Sequence, residues 1–162
     1  MEVVKIENKY FDKAAELVSL FRVTLREFKG IKSEPDIASA REELDSFMHD
    51  AMFQIYVCLD NEDVVGYINL KIDGPIWVEQ IFVREDYRRK GVGTLLYEKA
   101  ESISNNLGED TMYNYVHPNN DKMINFLKSK GYTVLNLIEI RKPWKKENLN
   151  EKIKIRNNIF DY

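Results

Sequence analysis

Val83-Arg84-Glu85-Asp86-Tyr87-Arg88-Arg89-Lys90-Gly91-Val92-Gly93-Thr94 joins an apolar run, Ile76 to Val83, to a helical pattern carrying Leu95, Leu96, Ala100 and Ile103 on one side. Arg88, Arg89 and Lys90 stand immediately before the glycines that open the helix. Glycine admits torsions that a Cβ forbids and lets main chain approach a ligand closely. Free amides and the positive end of the helix dipole at such a junction suit a phosphate group. A dinucleotide fingerprint would need a third glycine at position 96 and a tighter entry from the strand, whereas the chain has Leu96 and a basic loop. The Gly-Lys-Ser/Thr of a P-loop is missing as well. Alone, such a motif can be a plain solvated turn; its place between an apolar strand and an apolar-faced helix favours phosphate binding.

Outward from this junction, strand and helix signals alternate, which predicts an α/β chain. Val3, Val4 and Ile6 suggest a short strand, and Phe11, Ala14, Ala15, Val18, Phe21, Val23 and Leu25 recur as the buried face of a helix ending before Gly30. Ser33-Glu34-Pro35-Asp36 reads as a capping box with Ser33 as the cap, opening a second helix that runs to about Asp50. Phe53–Leu59 and Val64–Ile72 flank the turn Asn61-Glu62-Asp63 and predict an antiparallel hairpin, followed after Asp73-Gly74-Pro75 by the strand Ile76–Val83. A helix over Gly91–Leu107, a strand over Thr111–Val116, a helix over Asn119–Lys130 and a strand over Tyr132–Ile140 follow. About four helices thus flank a mixed, mostly antiparallel sheet. Residues 1–143 read as one domain and 144–162 as a tail, with a late hairpin around Asn157-Asn158.

Composition narrows the function. The 162 residues are 44% hydrophobic and 31% charged, a globular composition rather than a disordered or fibrous one. With 24 Lys+Arg against 27 Asp+Glu the net charge is −3, which gives no pull toward nucleic acid. The single cysteine, Cys58, excludes an intrachain disulfide and a cysteine-rich zinc site and suits a reducing cytoplasm; it reads as a small buried hydrophobe. His49 and His117 lack partners at metal-ligand spacing, so no metal is expected. The longest apolar run, Ile55–Leu59, is far short of the ~20 residues a bilayer requires, and neither a membrane span nor a signal peptide is expected.

The arrangement resembles the GNAT superfamily of acyl-CoA-dependent N-acyltransferases, whose signature Q/R-x-x-G-x-G/A is similar to Arg88-x-x-Gly91-x-Gly93. Glu79-Gln80-Ile81-Phe82-Val83 is similar to the family's pantetheine-holding strand, and Asn120 through Gly131-Tyr132 to its N-x-x-A…G-F/Y segment, with Met123 at the small-residue position. The resemblance covers nearly the full chain. It implies a central sheet with two splayed strands, acetyl-CoA as acyl donor, and a pyrophosphate loop of Arg88, Arg89, Lys90, Gly91, Val92, Gly93 and Thr94. It also implies that the backbone of Ile81 and Val83 holds pantetheine, that an amide near Ile81 or Phe82 steadies the oxyanion, and that Asn120 reaches the cofactor.

The implied chemistry is attack of an amine on a thioester. An alkylamine with a pKa near ~10.4 requires about 4.6 kcal/mol to be deprotonated at pH 7, so a base is useful. The resemblance points to Glu79; the plainer reading is a sheet carboxylate on a solvated face. The family's usual proton donor to the leaving thiolate is a tyrosine five residues before the second residue of the Gly-Tyr pair, and here that position is Leu127. Tyr132, Tyr115 and Tyr113 are substitutes or packing residues, and His117, at a strand end, is a second candidate base. Residues 33–50 carry Glu34, Asp36, Glu42, Glu43, Asp45 and Asp50 against Arg41, a balance of 1 − 6 = −5 that suits a cationic acceptor or merely keeps a helix soluble. The resemblance extends slightly to the diamine acetyltransferases. A peptide, protein N-terminal or lysine acetyltransferase and a non-catalytic acyl-CoA-binding module are the alternatives. The basic tail suggests a homodimer.

Overall fold

A computed structural model describes residues 1–162. Its elements are β1 (Glu2–Lys5), α1 (Phe11–Glu27), α2 (Ile37–His49), β2 (Phe53–Asp60), β3 (Asp63–Ile72), β4 (Ile76–Val83), α3 (Val92–Asn106), β5 (Met112–Asn114), α4 (Asp121–Ser129), β6 (Lys152–Ile155) and β7 (Asn158–Asp161). Residues 1–126 and 127–162 form two compact units. No helix is long and apolar enough to cross a membrane.

The first unit is built on a sheet of order β1-β2-β3-β4-β5. β1 to β4 run antiparallel to their neighbours and β5 lies parallel to β4. The mixed, mostly antiparallel sheet expected from the sequence is therefore present. Its hairpin turns at Asn61 and Glu62, both at positive φ, the twist a two-residue turn between strands demands. Ala14, Ala15, Leu17 and Val18 of α1 and Ala40 and Leu44 of α2 bury against Ile55, Val57, Leu59, Tyr67 and Phe82. That core covers one face of the sheet.

The other face receives α3, and one glycine sets how closely. A Cβ at Gly66 of β3 would meet Val92 Cγ1 at 2.9 Å, the Phe82 carbonyl oxygen at 3.0 Å and Leu96 Cδ1 at 3.2 Å. The first two turns of α3 thus rest directly on β3 backbone, which fixes where its N-terminus lies.

Three expectations need correction. α2 is capped by Asp36, whose carboxylate accepts the Ser39 N–H at 3.0 Å, and not by Ser33, whose buried hydroxyl has no hydrogen-bond partner. The residue before Pro35 is pushed toward extended backbone, so the helix starts later than the Ser33 box implies. β5 is confined to Met112–Asn114 within the longer Thr111–Val116 run. Tyr132–Ile140 forms no strand, although its sequence is rich in β-formers. Strand preference is mostly packing against neighbours, and here Val134 is 86% exposed and Leu135 and Leu137 are each 72% exposed. The late hairpin does form, as β6 and β7, turning at Arg156-Asn157.

Gly66→Ala tests the α3 seat. Overpacking of this kind costs about 1–3 kcal/mol, so the thermal unfolding midpoint, followed by circular dichroism, should fall by several degrees.

Candidate active site

The loop before α3 is anchored by residues that precede the three bases. Arg84 pairs with Asp63 at 2.6 Å and Asp86 at 2.8 Å and lies over the Tyr87 ring, and the Tyr87 hydroxyl donates to Asp60 at 2.8 Å. These contacts tie the loop to the β2–β3 turn. The Asp86 and Asp63 hydrogen bonds raise the Arg84 pKa, and Arg84 in turn lowers that of Asp63. Sequence reasoning passed over Arg84; its signal was an arginine two residues from an aspartate at a strand end.

Gly91 is the N-cap of α3 with φ 87°, and a Cβ there would meet nothing within 4 Å. The glycine is needed for its torsion and not for room. At Gly93 a Cβ would make only ordinary contacts, with Val83 at 3.8 Å and Phe126 at 3.9 Å. The amides of Val92, Gly93 and Thr94 open the helix and have no carbonyl partner within it. Arg88 turns back: its Nε donates to the Val83 carbonyl at 3.2 Å and its guanidinium lies over Phe82. Arg89 and Lys90 are exposed at the loop surface. The arrangement suits an anion held by α3 amides with two cations alongside.

Strand β4 carries the second half of the site. β5 accompanies it only from Ile76 to Val78, so Glu79–Val83 present an edge with no strand beside it. On the β3 side, Asn69 pairs with Gln80 and Leu70 with Val78, which makes Glu79 the extra residue of a β-bulge. A bulge re-aims the side chain it adds. Gln80 faces α1 and α2: its amide nitrogen donates to Glu43 at 2.5 Å, and its oxygen accepts from the Tyr67 hydroxyl at 3.0 Å. Trp77 and Val78 alternate, so the added Glu79 follows Gln80 onto the face opposite Val78. Val83 faces α3, with Gly93 beside it. Phe82 packs edge-on against Phe21 in the α1 core, so the binding expected of residues 81–83 can involve Phe82 only through its backbone.

Arg22, Glu43, Gln80 and Tyr67 form one chain of hydrogen bonds beside Glu79. Arg22 Nε donates to Glu43 at 2.8 Å, and a second guanidinium nitrogen reaches the other carboxylate oxygen. The Glu43 hydrogen bond raises the Arg22 pKa against the opposing effect of burial, with smaller contributions from Tyr67 and Glu79. Burial, and then Glu43, pushes the Tyr67 hydroxyl well above its usual range, so it stays a proton donor.

The remaining candidates have other duties. The Asn120 side-chain oxygen accepts the Met123 N–H at 3.1 Å and caps α4, leaving only its NH2 group for a ligand. His117 stacks on Phe28 at 5.7 Å and accepts the Asn119 N–H; burial, then Lys29, lowers its pKa. Tyr113 and Tyr115 pack on Trp77 at 4.9 and 4.6 Å. Burial raises the Cys58 thiol pKa, which makes it a poor nucleophile. Of the six carboxylates over 33–50, Asp36 caps α2, Glu43 holds Arg22, Asp45 meets His49 and Asp50 accepts the Met52 N–H. Most of that charge is therefore spent on local structure.

The profile of the acetyltransferase (GNAT) family matches residues 15–132. A search of curated proteins found no match. Among solved structures, AAC(6')-Iy bound to a bisubstrate analogue, CoA-S-monomethyl-acetylneamine, is similar at 15% identity, TM-score 0.70, over 88% of this chain and 98% of that one. An aminoglycoside acetyltransferase from an uncultured soil metagenomic sample, in complex with sisomicin, is similar at 16% identity and TM-score 0.66, over 88% and 95%. A possible acetyltransferase of Clostridium difficile 630 is similar at 18% identity and TM-score 0.70, over 88% and 97%. The likeness to these structures concerns the fold. The family match, which spans the bulged strand, the anion loop and α3, shows that this chain belongs to the acetyltransferase (GNAT) family and is an N-acetyltransferase.

Proposed function

We propose that the protein transfers the acetyl group of acetyl-CoA to a primary amine on a small cationic acceptor, with Glu79 as the base. The observation that carries this is the bulge. It puts Glu79 on the α1/α2 face while Val83 and the head of α3 lie on the other, at the point where β4 loses its neighbour. Donor and acceptor then approach from opposite faces of one strand.

The residues present fit acetyl-CoA. The amides of Val92, Gly93 and Thr94 suit the diphosphate, Arg89 and Lys90 offset its charge, and the open edge from Glu79 to Val83 offers backbone groups to the pantetheine amides. When bound, acetyl-CoA supplies a thioester carbonyl activated toward amines. Glu79 accepts the proton the amine gives up as its nitrogen bonds to the acetyl carbon. Leu127 has no proton to give the departing sulfur, and a thiol of pKa ~8.5 leaves at pH 7 at a cost of only about 2 kcal/mol without one. A small acceptor carrying several amines accords with the aminoglycoside acetyltransferases among the similar folds and with the net negative charge of the chain.

The test is acceptor-dependent release of coenzyme A thiol with polyamines, aminoglycosides and basic peptides as separate acceptors. Turnover of the small amines is expected. Turnover of peptides alone would replace the acceptor class, and tight acetyl-CoA binding without transfer would indicate a binding module. Glu79→Gln should lower kcat about 100-fold or more at pH 7 and leave the KM for acetyl-CoA unchanged. Because the free amine needs no base once pH approaches ~10.4, the gap between variant and wild type should narrow as pH rises. A gap that does not narrow would show that Glu79 is not the base.

We also propose a homodimer formed through the second unit, where Val134, Leu135, Leu137, Ile140 and Trp144 are all more than half exposed. Such a cluster on a monomer favours association. Sedimentation equilibrium should give twice the chain mass, and Leu135→Lys with Leu137→Lys should reduce it to one; a wild-type monomer overturns the dimer.

A further inference from the structure

Val78 and Asn114 are the last residues that β4 and β5 pair, so Glu79 and Tyr115 are the first on either side of the gap where the strands part. The Tyr97 hydroxyl of α3 donates to the Asn114 side chain, which puts Asn114 and its partner Val78 on the α3 face. Strand alternation turns Trp77 and Tyr113 the other way, and Glu79 lies on that same face. Tyr115 is there too, because its ring stacks on Trp77 at 4.6 Å and 15°, while Tyr113 flanks Trp77 at 4.9 Å. Two residues of a strand span about 7 Å, so Trp77 and Glu79 are close neighbours along β4. Tyr115 is 66% exposed: one face of its ring lies on Trp77 and the other meets solvent. The chemistry of this face selects an occupant. Aromatic faces attract organic cations, and a carboxylate stands beside them. The two cations of the same side are engaged with acids of their own, Arg22 with Glu43 and Lys71, opposite Trp77 on β3, with Asp73 at 3.8 Å. The rings and the Glu79 carboxylate together suit an alkylammonium group and repel an anion.

We propose that the Tyr115 ring, backed by Trp77, binds a second ammonium group of the acceptor, so that the enzyme selects amines whose two cationic centres are joined by a short carbon chain. The inference rests on the proposed reading of Glu79 as the base and of the acceptor as a small cationic amine. One nitrogen of such an acceptor lies at Glu79 and is acetylated: its N–C bond forms, the C–S bond of the thioester breaks, and its proton passes to the carboxylate. The other nitrogen keeps its charge and rests over Tyr115. The ring offers a π face and no fixed acceptor atom, so the hydroxyl of Tyr115 takes no part. Trp77 acts through Tyr115, as the surface that holds its ring flat.

The test compares an α,ω-diamine with the monoamine of equal chain length, in acetyl transfer and in direct binding. The wild-type KM for the diamine should lie about 5- to 30-fold below that for the monoamine. Tyr115→Leu should remove this difference by raising the diamine KM, and leave the KM values for the monoamine and for acetyl-CoA unchanged. Tyr115→Phe, which keeps the ring, should keep the preference. Binding is read from Trp77 fluorescence after Trp144→Phe has removed the other tryptophan; the diamine should quench it at lower concentration than the monoamine. Should Tyr115→Leu fail to fold, the phenylalanine variant and the fluorescence titration decide. Equal KM values in the wild type, a Tyr115→Leu enzyme that keeps the preference, or a Tyr115→Phe enzyme that loses it overturns the inference, and so does a diamine that leaves Trp77 fluorescence unchanged. Quenching by the diamine with no acetyl transfer to any acceptor removes the proposed reaction and leaves the ammonium site standing. A fully active Glu79→Gln that still prefers the diamine removes the base and leaves that site standing as well.

Discussion

One extra residue in β4 governs the geometry of this site. Between the Asn69–Gln80 and Leu70–Val78 pairs the strand carries Glu79 with no counterpart on β3. Without it, strict alternation would put Glu79 and Gln80 on opposite faces. With it, both turn toward α1 and α2, and the residues on either side of the bulge keep their cores: Val78 and Phe82 stay buried. A carboxylate is thus added to the α1/α2 side without loss of hydrophobic packing. The ending of β5 beside Val78 is the second half of the same constraint, because it leaves the edge of β4 open from the bulge onward.

The helix that would meet the phosphates is placed by packing more than by charge. Gly66 lets Val92 and Leu96 rest on β3, and Arg84 pins the entering loop to the β2–β3 turn through Asp63 and Asp86. Both devices lie outside the glycine motif. Of the basic residues of the motif, Arg88 braces the strand end at Val83 and Lys90 lies over the Tyr87 ring.

Much of this was legible in the sequence, because it depends on local pattern. Periodicity gave the four helices and the long strands, and Arg88-x-x-Gly91-x-Gly93 marked the head of α3. What was not legible depends on partners. Tyr132–Ile140 has strand chemistry, but a strand needs a ladder, and no local signal says whether one is supplied. Ser33 has the right side chain for a cap, while Asp36 holds the position. The bulge and the role of Gly66 are features of register between strands far apart in the chain. Of the six carboxylates of 33–50, four have partners that a sequence does not display: Glu43 with Arg22, Asp36 with Ser39, Asp45 with His49 and Asp50 with Met52.

The energetics explain why a site of this kind can dispense with an acid yet be built so closely around a base. Deprotonating an alkylamine at pH 7 costs about 4.6 kcal/mol, more than twice the ~2 kcal/mol saved by protonating the departing thiolate. The leucine at 127, where the family resemblance expects the acid, would forgo the smaller term. If Glu79 is the base we propose, the larger one falls to it, and the neighbouring groups are engaged with one another: Arg22 is held by Glu43, and Gln80 by Glu43 and Tyr67. Had Arg22 bonded Glu79 directly, the carboxylate would be a weaker base by the strength of that ion pair. Glu43, on another helix, keeps the cation occupied, and in the proposed reaction that long-range pairing leaves the β4 carboxylate able to accept a proton.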